Sequence, residues 1–320
     1  MISTAGPVVV THELTKQYGE FTALDSLSFM LDRGQILGFI GPNGAGKTTT
    51  IKILVGLMRP TSGSASIAGA DCVRDARRIK RLVGFMPDTF GSYDNMRVRE
   101  YLDFFGAAFG IGRRERTRRI DEVLETTGST YMRDRYVESL SHGMKQRVGV
   151  ARTLLHDPDV LILDEPANGL DPQARIEMRD LLLRLADMGK TLIVTSHILP
   201  ELSRICNVVA IMTKGKLRAF GTLDQIMQAI RQRRTFEVQL VDGTQAAAVA
   251  TAVASGLDEN EQRSVAAHDA EAMVRFQTSR SDADLADLLG GLVRANLGVS
   301  QFREVPTDLE DAFLTVTRES

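Results

Sequence analysis

The stretch Gly41-Pro-Asn-Gly-Ala-Gly-Lys47-Thr48 constrains this chain more than any other. Two glycines five positions apart, followed by Lys and Thr, have the spacing of the phosphate-binding P-loop. The flanks agree with the letters. Residues 36–40, Ile-Leu-Gly-Phe-Ile, form a short apolar run of the kind a buried parallel strand makes. From Thr48 onward, Ile51, Leu54, Val55 and Met58 recur at helical spacing, and Pro60 is expected to stop that helix. The loop therefore joins a strand to a helix N-terminus. Backbone N–H groups and the helix dipole there favour an anionic phosphate. Lys47 is the residue to reach β- and γ-phosphates, and the Thr48 hydroxyl the one to ligate Mg²⁺.

A chain of 320 residues is expected to hold two domains. With 43% hydrophobic and 25% charged residues it belongs with ordinary globular proteins. A net charge of −2 supplies no global basic field to recruit nucleic acid or anionic membrane. Cys72 and Cys206, the only cysteines, make neither a zinc site nor a disulfide framework, and suit a reducing compartment. The N-terminal residues place no basic region before their apolar ones, so they do not read as a signal peptide. No run of about 18 uninterrupted apolar residues is available to span a bilayer.

Residues 8–29 read as two strands joined by a turn at Tyr18-Gly-Glu-Phe21. Tyr18 is either a base-stacking ring or a half-buried strand-end tyrosine. A turn and short strand follow Pro60, then a basic helix over 75–81, a strand over 82–86 ending at Pro87-Asp88, and a loop over 89–96. Residues 97–110 carry Val98, Tyr101, Leu102, Phe105 and Phe109 on one helical side. The densest positive run, residues 112–119, either touches nucleic acid or lipid headgroups or, more simply, forms the solvated face of a helix continuing through Ile120, Val123 and Leu124. It lacks the interleaved aromatics of a base-stacking surface.

Ser141 is placed as the N-cap of a helix running through Leu155. Residues 160–163, Val-Leu-Ile-Leu, are continuously apolar and end in Asp164-Glu165, the Walker B pattern. Asp164 is placed to meet Mg²⁺ directly or through water, and Glu165 to polarise a water in line with the γ-phosphate. A turn at 168–172 leads into an amphipathic helix over 173–188, then a buried strand over 190–195 ends in Ser196-His197. Strand ends of a parallel sheet share one edge, where ligands bind, which places His197 near a γ-phosphate.

Residues 41–49, 140–146, 160–171 and His197, in this order and spacing, resemble the ATPase subunit of an ATP-binding cassette (ABC) transporter. The resemblance covers about residues 7 to 228. It implies an α/β P-loop NTPase cassette over 1–230, with a mixed sheet core and a helical subdomain at about 88–157. It implies that Tyr18 stacks on adenine and that Gly41, Pro42, Asn43, Gly44, Ala45, Gly46, Lys47, Thr48 and Thr49 hold the phosphates of ATP. Thr48, Asp88 and Asp164 surround Mg²⁺ in this reading; Glu165 is the catalytic base, and Lys47 and His197 complete the catalytic set. Ser141 and Gly143 contact the γ-phosphate of ATP held by an opposing subunit, and residues 168–171 cross the dimer interface.

Two motifs depart from the family pattern. The signature segment is usually Leu-Ser-Gly-Gly-Gln, and here His142 and Met144 replace a glycine and the glutamine. Asp88 stands where glutamine is usual; it offers oxygen toward Mg²⁺ and water but donates no N–H. Pro87-Asp88, with residues 93–102, is similar to exporter ATPases that pair with separate permeases. One copy of each motif implies a dimer, with itself or with a second cassette protein. The resemblance further implies a permease on another polypeptide, a cytoplasmic location at the inner membrane face, and no nucleic-acid partner. A soluble non-transport ABC ATPase, or an ATP-binding switch acting on a macromolecular partner, is the alternative reading.

Past a polar basic joint at 231–234, the tail reads as a second unit. Strands over 235–241, 272–278 and 299–305, helices over 244–255 and 282–296, and a weak strand at 264–267 give the order β-α-β-β-α-β. That order is a small ferredoxin-like α+β domain over 231–320, read as dimer-stabilising or regulatory. A last helical turn or two is expected at 309–314.

Overall fold

The computed structural model describes residues 6–88, 91, 95–196, 202–226 and 234–305. His197, Tyr93, Asp94, the joint at 231–233 and the segment 309–314 lie outside the described residues. The chain divides into two compact units between Leu223 and Asp224.

The first unit is built on a six-stranded sheet. Its strands are β3 (Ile36–Ile40), β6 (Val83–Met86), β7 (Val160–Leu163), β8 (Thr191–Ser196), β9 (Val208–Thr213) and β10 (Lys216–Thr222). They lie in the order β10-β9-β3-β8-β7-β6. Every residue of β3, β7, β8 and β9 is buried. Continuous apolar runs of this kind suit a parallel sheet covered on both faces. Pairing is parallel from β9 through β6, and β10 alone runs antiparallel. The sequence pattern alone does not mark β9 and β10, which meet at the positive-φ pair Lys214 and Gly215.

The register decides where the chemistry falls. Ile40 pairs with Ser196, Leu163 with Val194, and Met86 with Leu163. The P-loop, Asp164 and Asp88 therefore leave the sheet at one edge, the carboxyl ends of its strands. A second, antiparallel sheet takes the order β2-β1-β4-β5, from β1 (Val9–Tyr18), β2 (Phe21–Leu31), β4 (Ser62–Ile67) and β5 (Ala70–Asp71). Leu14, Leu24, Leu27 and Leu31 of this sheet join Phe39 and Ile51 in one core.

Helix α1 (Lys47–Leu54) is shorter than its apolar spacing suggests. Gly56, at φ +72°, ends it before Pro60 is reached, and the Leu57 and Met58 amides turn back onto Lys52 O at 2.8 and 3.0 Å. A short helix α2 (Ala76–Leu82) leads into β6. Helices α3 (Val98–Ala108), α4 (Arg113–Thr126) and α5 (His142–Leu154) pack together beyond β6. Three arginines of the positive run on α4 are paired internally: Arg116 forks onto Asp103 at 2.6 and 3.2 Å, and Arg118 and Arg119 reach Glu115 and Glu122, while Arg113 and Arg114 are exposed. Helix α6 (Pro172–Asp187) starts from Asp171, whose carboxylate accepts the Ala174 amide at 2.9 Å.

The second unit has strands β11 (Arg234–Leu240), β12 (Ala266–His268), β13 (Met273–Thr278) and β14 (Val299–Val305) with helices α7 (Ala246–Ser255) and α8 (Asp282–Arg294). All pairs are antiparallel in the order β12-β13-β11-β14, the ferredoxin-like arrangement. Phe236, Phe276 and Phe302 form its aromatic centre, with ring centroids 5.5 to 6.2 Å apart. On the sheet's other face the buried Glu237 carboxylate takes Arg275 on one oxygen and Arg303 on the other. Burial pushes that carboxyl up, but the two guanidiniums outweigh it and hold its pKa below the ordinary glutamate range. A carboxyl depressed on folding stabilises the folded chain fully above its unfolded pKa, and loses that contribution as pH falls. Urea titrations of the second unit at falling pH should show its midpoint dropping below about pH 4.3. Glu237→Gln should flatten that drop.

Candidate nucleotide site

The P-loop leaves β3 at Gly41 and enters α1 at Lys47. Gly46, the helix N-cap, has φ +106°, and a Cβ there would lie 2.7 Å from Leu24 Cδ2 and 2.8 Å from Ala23 O. Only glycine closes this turn against β2. At Gly41 a Cβ would sit 2.4 Å from Met212 O, so β9 abuts the loop from behind. Pro42, Asn43, Gly44 and Thr48 are exposed, whereas Ala45 and Lys47 are buried. An open loop over a buried cation is the form an anion cradle takes.

Lys47 Nζ donates to Gly41 O and, at 3.3 Å, to Pro42 O. Burial holds its ammonium below the ordinary lysine range, while the Glu165 and Asp164 carboxylates pull it back up. The P-loop lysine and the Walker B acids are thus electrostatic neighbours.

The acids are fixed from the next strand. Thr195 on β8 donates its hydroxyl to Asp164 Oδ1 at 2.6 Å, and the Thr195 Oγ1 itself accepts the Glu165 amide at 2.9 Å. The Asp164 amide bonds Met86 O at 2.8 Å. Glu165 has φ +51°, a left-handed conformation costly for a side chain with a Cβ. Thr195 and the Asn168 amide, 3.1 Å from Glu165 O, hold it there. Sequence reasoning passed over Thr195. Its only signal was a hydroxyl inside an otherwise apolar run just before Ser196.

Asp88 is exposed beyond β6, and its Oδ1 accepts from Asn168 Nδ2 at 3.5 Å. Ser141 caps α5, its Oγ accepting the Met144 amide at 3.4 Å. Gly143 lies in the first turn, where a Cβ would come within 3.2 Å of Ala174 on α6. Tyr18, at the end of β1, is 46% exposed. Its hydroxyl donates to Met58 Sδ at 2.9 Å, and Lys16 Nζ stands 5.2 Å from the ring centroid.

The donor set suits a magnesium-bound nucleotide. Among the described residues no group of three or more His, Cys, Asp or Glu could hold a metal alone. Mg²⁺ characteristically takes one or two carboxylates and completes its shell with substrate phosphates and water. Asp164, Asp88 and Thr48 match that requirement, and Lys47 matches the phosphate.

A P-loop on a mixed sheet, with a Walker B strand two positions away in the sheet, defines a P-loop NTPase. The ABC transporter family matches residues 24–168. The chain is 41% identical over 240 residues to the bacitracin transport ATP-binding protein BcrA of Bacillus licheniformis, covering 75% of this chain and 77% of BcrA. It is 29% identical over 304 residues to the linearmycin resistance ATP-binding protein LnrL of Bacillus subtilis, covering 95% of this chain and 96% of LnrL. A solved ATP binding subunit of an ABC transporter superposes with a TM-score of 0.63 at 31% identity, over 70% of this chain and 93% of that one. The chain belongs to the ABC transporter family, as an ATP-binding subunit that hydrolyses ATP. Among the described residues no helix is long and apolar enough to cross a membrane.

Thr195→Val keeps the volume and removes both hydrogen bonds to the acid pair. Leaving these groups unpaired should cost about 1–3 kcal/mol of stability. It should also lower ATP turnover, read by urea unfolding and a phosphate-release assay.

Proposed function

We propose that this subunit energises export through a permease carried on a separate polypeptide, and that it works as a dimer through its nucleotide sites. The observation that carries the reading is the Lys47, Asp164 and Glu165 cluster at one sheet edge, organised by Thr195. The names of relatives such as BcrA support transport.

In this reading the amides of residues 41–49 and the Lys47 ammonium bind the phosphates, and the Tyr18 ring stacks on adenine. Thr48, Asp88 and Asp164 hold Mg²⁺. The metal, when bound, neutralises charge on the phosphate oxygens. Glu165 takes a proton from the attacking water, oriented by the Thr195 bond to its own amide. Lys47 stabilises charge developing on the γ-phosphate. His197 completes the catalytic set. Ser141 and Gly143 present the α5 N-terminus to a phosphate held by the opposing subunit, which is this chain or a second cassette protein. Residues 88–96 and α3 transmit the closing of the dimer to the permease. The subunit then sits peripherally on the inner membrane face. Residues 231–320 form an accessory, regulatory domain.

ATP hydrolysis by purified wild type and Glu165→Gln tests the assignment. Glu165→Gln should bind ATP, turn over at least about 100-fold more slowly, as loss of a general base does, and accumulate as an ATP-trapped dimer in light scattering. Turnover equal to wild type would remove Glu165 from the mechanism.

A further inference from the structure

Two of the residues that depart from the family pattern, His142 and Asp88, meet at a single residue. Asn168 lies three positions after Glu165, in the turn that leads to α6. Its backbone carbonyl faces His142 Nε2 at 2.9 Å, and its side-chain amide donates to Asp88 Oδ1 at 3.5 Å. A carbonyl only accepts, so this contact is a hydrogen bond in the His142 tautomer that carries its proton on Nε2. An aspartate also only accepts, so Asp88 fixes the Asn168 amide with its nitrogen outward; a glutamine would leave both orientations open.

The packing around this chain of bonds is close. The His142 ring lies against the Gly169 backbone, where a Cβ would stand 3.4 Å from Nε2. Buried Gln146, one helical turn on, sets its amide 3.5 Å from the same nitrogen. A Cβ at Gly143 would come within 3.5 Å of Leu170. The first turn of α5 is therefore seated on residues 168–171, and the glycine usual at position 142 would leave the Asn168 carbonyl without this donor.

We infer that His142 and Asp88 are paired positioning residues: they clamp Asn168 from its two ends and so set the turn that carries Glu165. Neither acts on the reacting atoms through this contact. The inference rests on the catalytic reading of Glu165 given above. It makes turnover depend on both departures jointly.

The test compares His142→Leu, His142→Gln, Asn168→Ala, which severs the Asp88 bond without touching the residue placed at Mg²⁺ and keeps the backbone carbonyl, and the double variant His142→Leu/Asn168→Ala by steady-state ATP hydrolysis. His142→Leu keeps bulk and loses the donor, whereas glutamine retains an N–H able to reach the carbonyl. His142→Leu should lower kcat roughly 3- to 10-fold, the span of one ordinary hydrogen bond, with KM for ATP changed less than about twofold. His142→Gln should restore most of the rate. The double variant should fall no lower than the worse single variant, because both act through Asn168. Wild-type rates in His142→Leu, equal losses in Leu and Gln, or losses that multiply in the double variant would overturn the clamp. Glu165→Gln, assayed alongside, separates the two claims: if it is inactive while His142→Leu is normal, only the clamp fails. If Glu165→Gln turns over normally, the catalytic reading itself fails.

Discussion

The structure depends on burying both faces of one parallel sheet. Strands covered on both sides have little tolerance for polar side chains along their length, so polar chemistry is pushed to their ends. Parallel pairing then places those ends on a common edge. The register of β3 with β8, and of β7 with β6 and β8, delivers Gly41, Asp164, Ser196 and Asp88 there. The interior contributes one deliberate exception. Thr195, fully buried, spends its hydroxyl on both Asp164 and the Glu165 amide. That bridge holds two acids and a strained backbone in one arrangement before any ligand arrives, the preorganisation that electrostatic catalysis requires.

Much of this was legible in the residues. The P-loop letters, the apolar runs at 36–40 and 160–163, and the N-cap at Ser141 are local signals, and each is written in a few adjacent side chains. The β-α-β-β-α-β order of the second unit was also local, down to the weak strand that becomes β12. What the sequence withheld was non-local. Thr195 reads as strand filler until β8 is set beside β7. The Met212 carbonyl behind Gly41 comes from a strand about 170 positions on. The early end of α1 was misjudged for a different reason. Gly56 adopts a left-handed turn that stops a helix as surely as proline does, and the proline drew the eye.

The two units manage charge in contrasting ways. In the second, Glu237 is satisfied by two arginines on adjacent strands, a closed set with nothing left over. At the nucleotide edge the balance is open. A buried lysine leans on backbone carbonyls and on two nearby acids, with exposed glycine and threonine in front. That imbalance is what a polyanion with a divalent cation would complete. The cysteines stand apart from both arrangements: burial pushes the Cys72 thiol up to about 12 and Cys206 higher still, which keeps both inert.

The central claim is that ATP sits on this edge and is closed over by the α5 N-terminus of an opposing subunit. Hydrogen exchange on the Glu165→Gln chain, with and without Mg·ATP, tests it most directly. The account predicts slowed exchange at residues 41–49 and also at 140–146 once the dimer has formed. Slowing at 41–49 alone would contradict the shared site, and unchanged exchange at 41–49 under saturating nucleotide would contradict the site altogether.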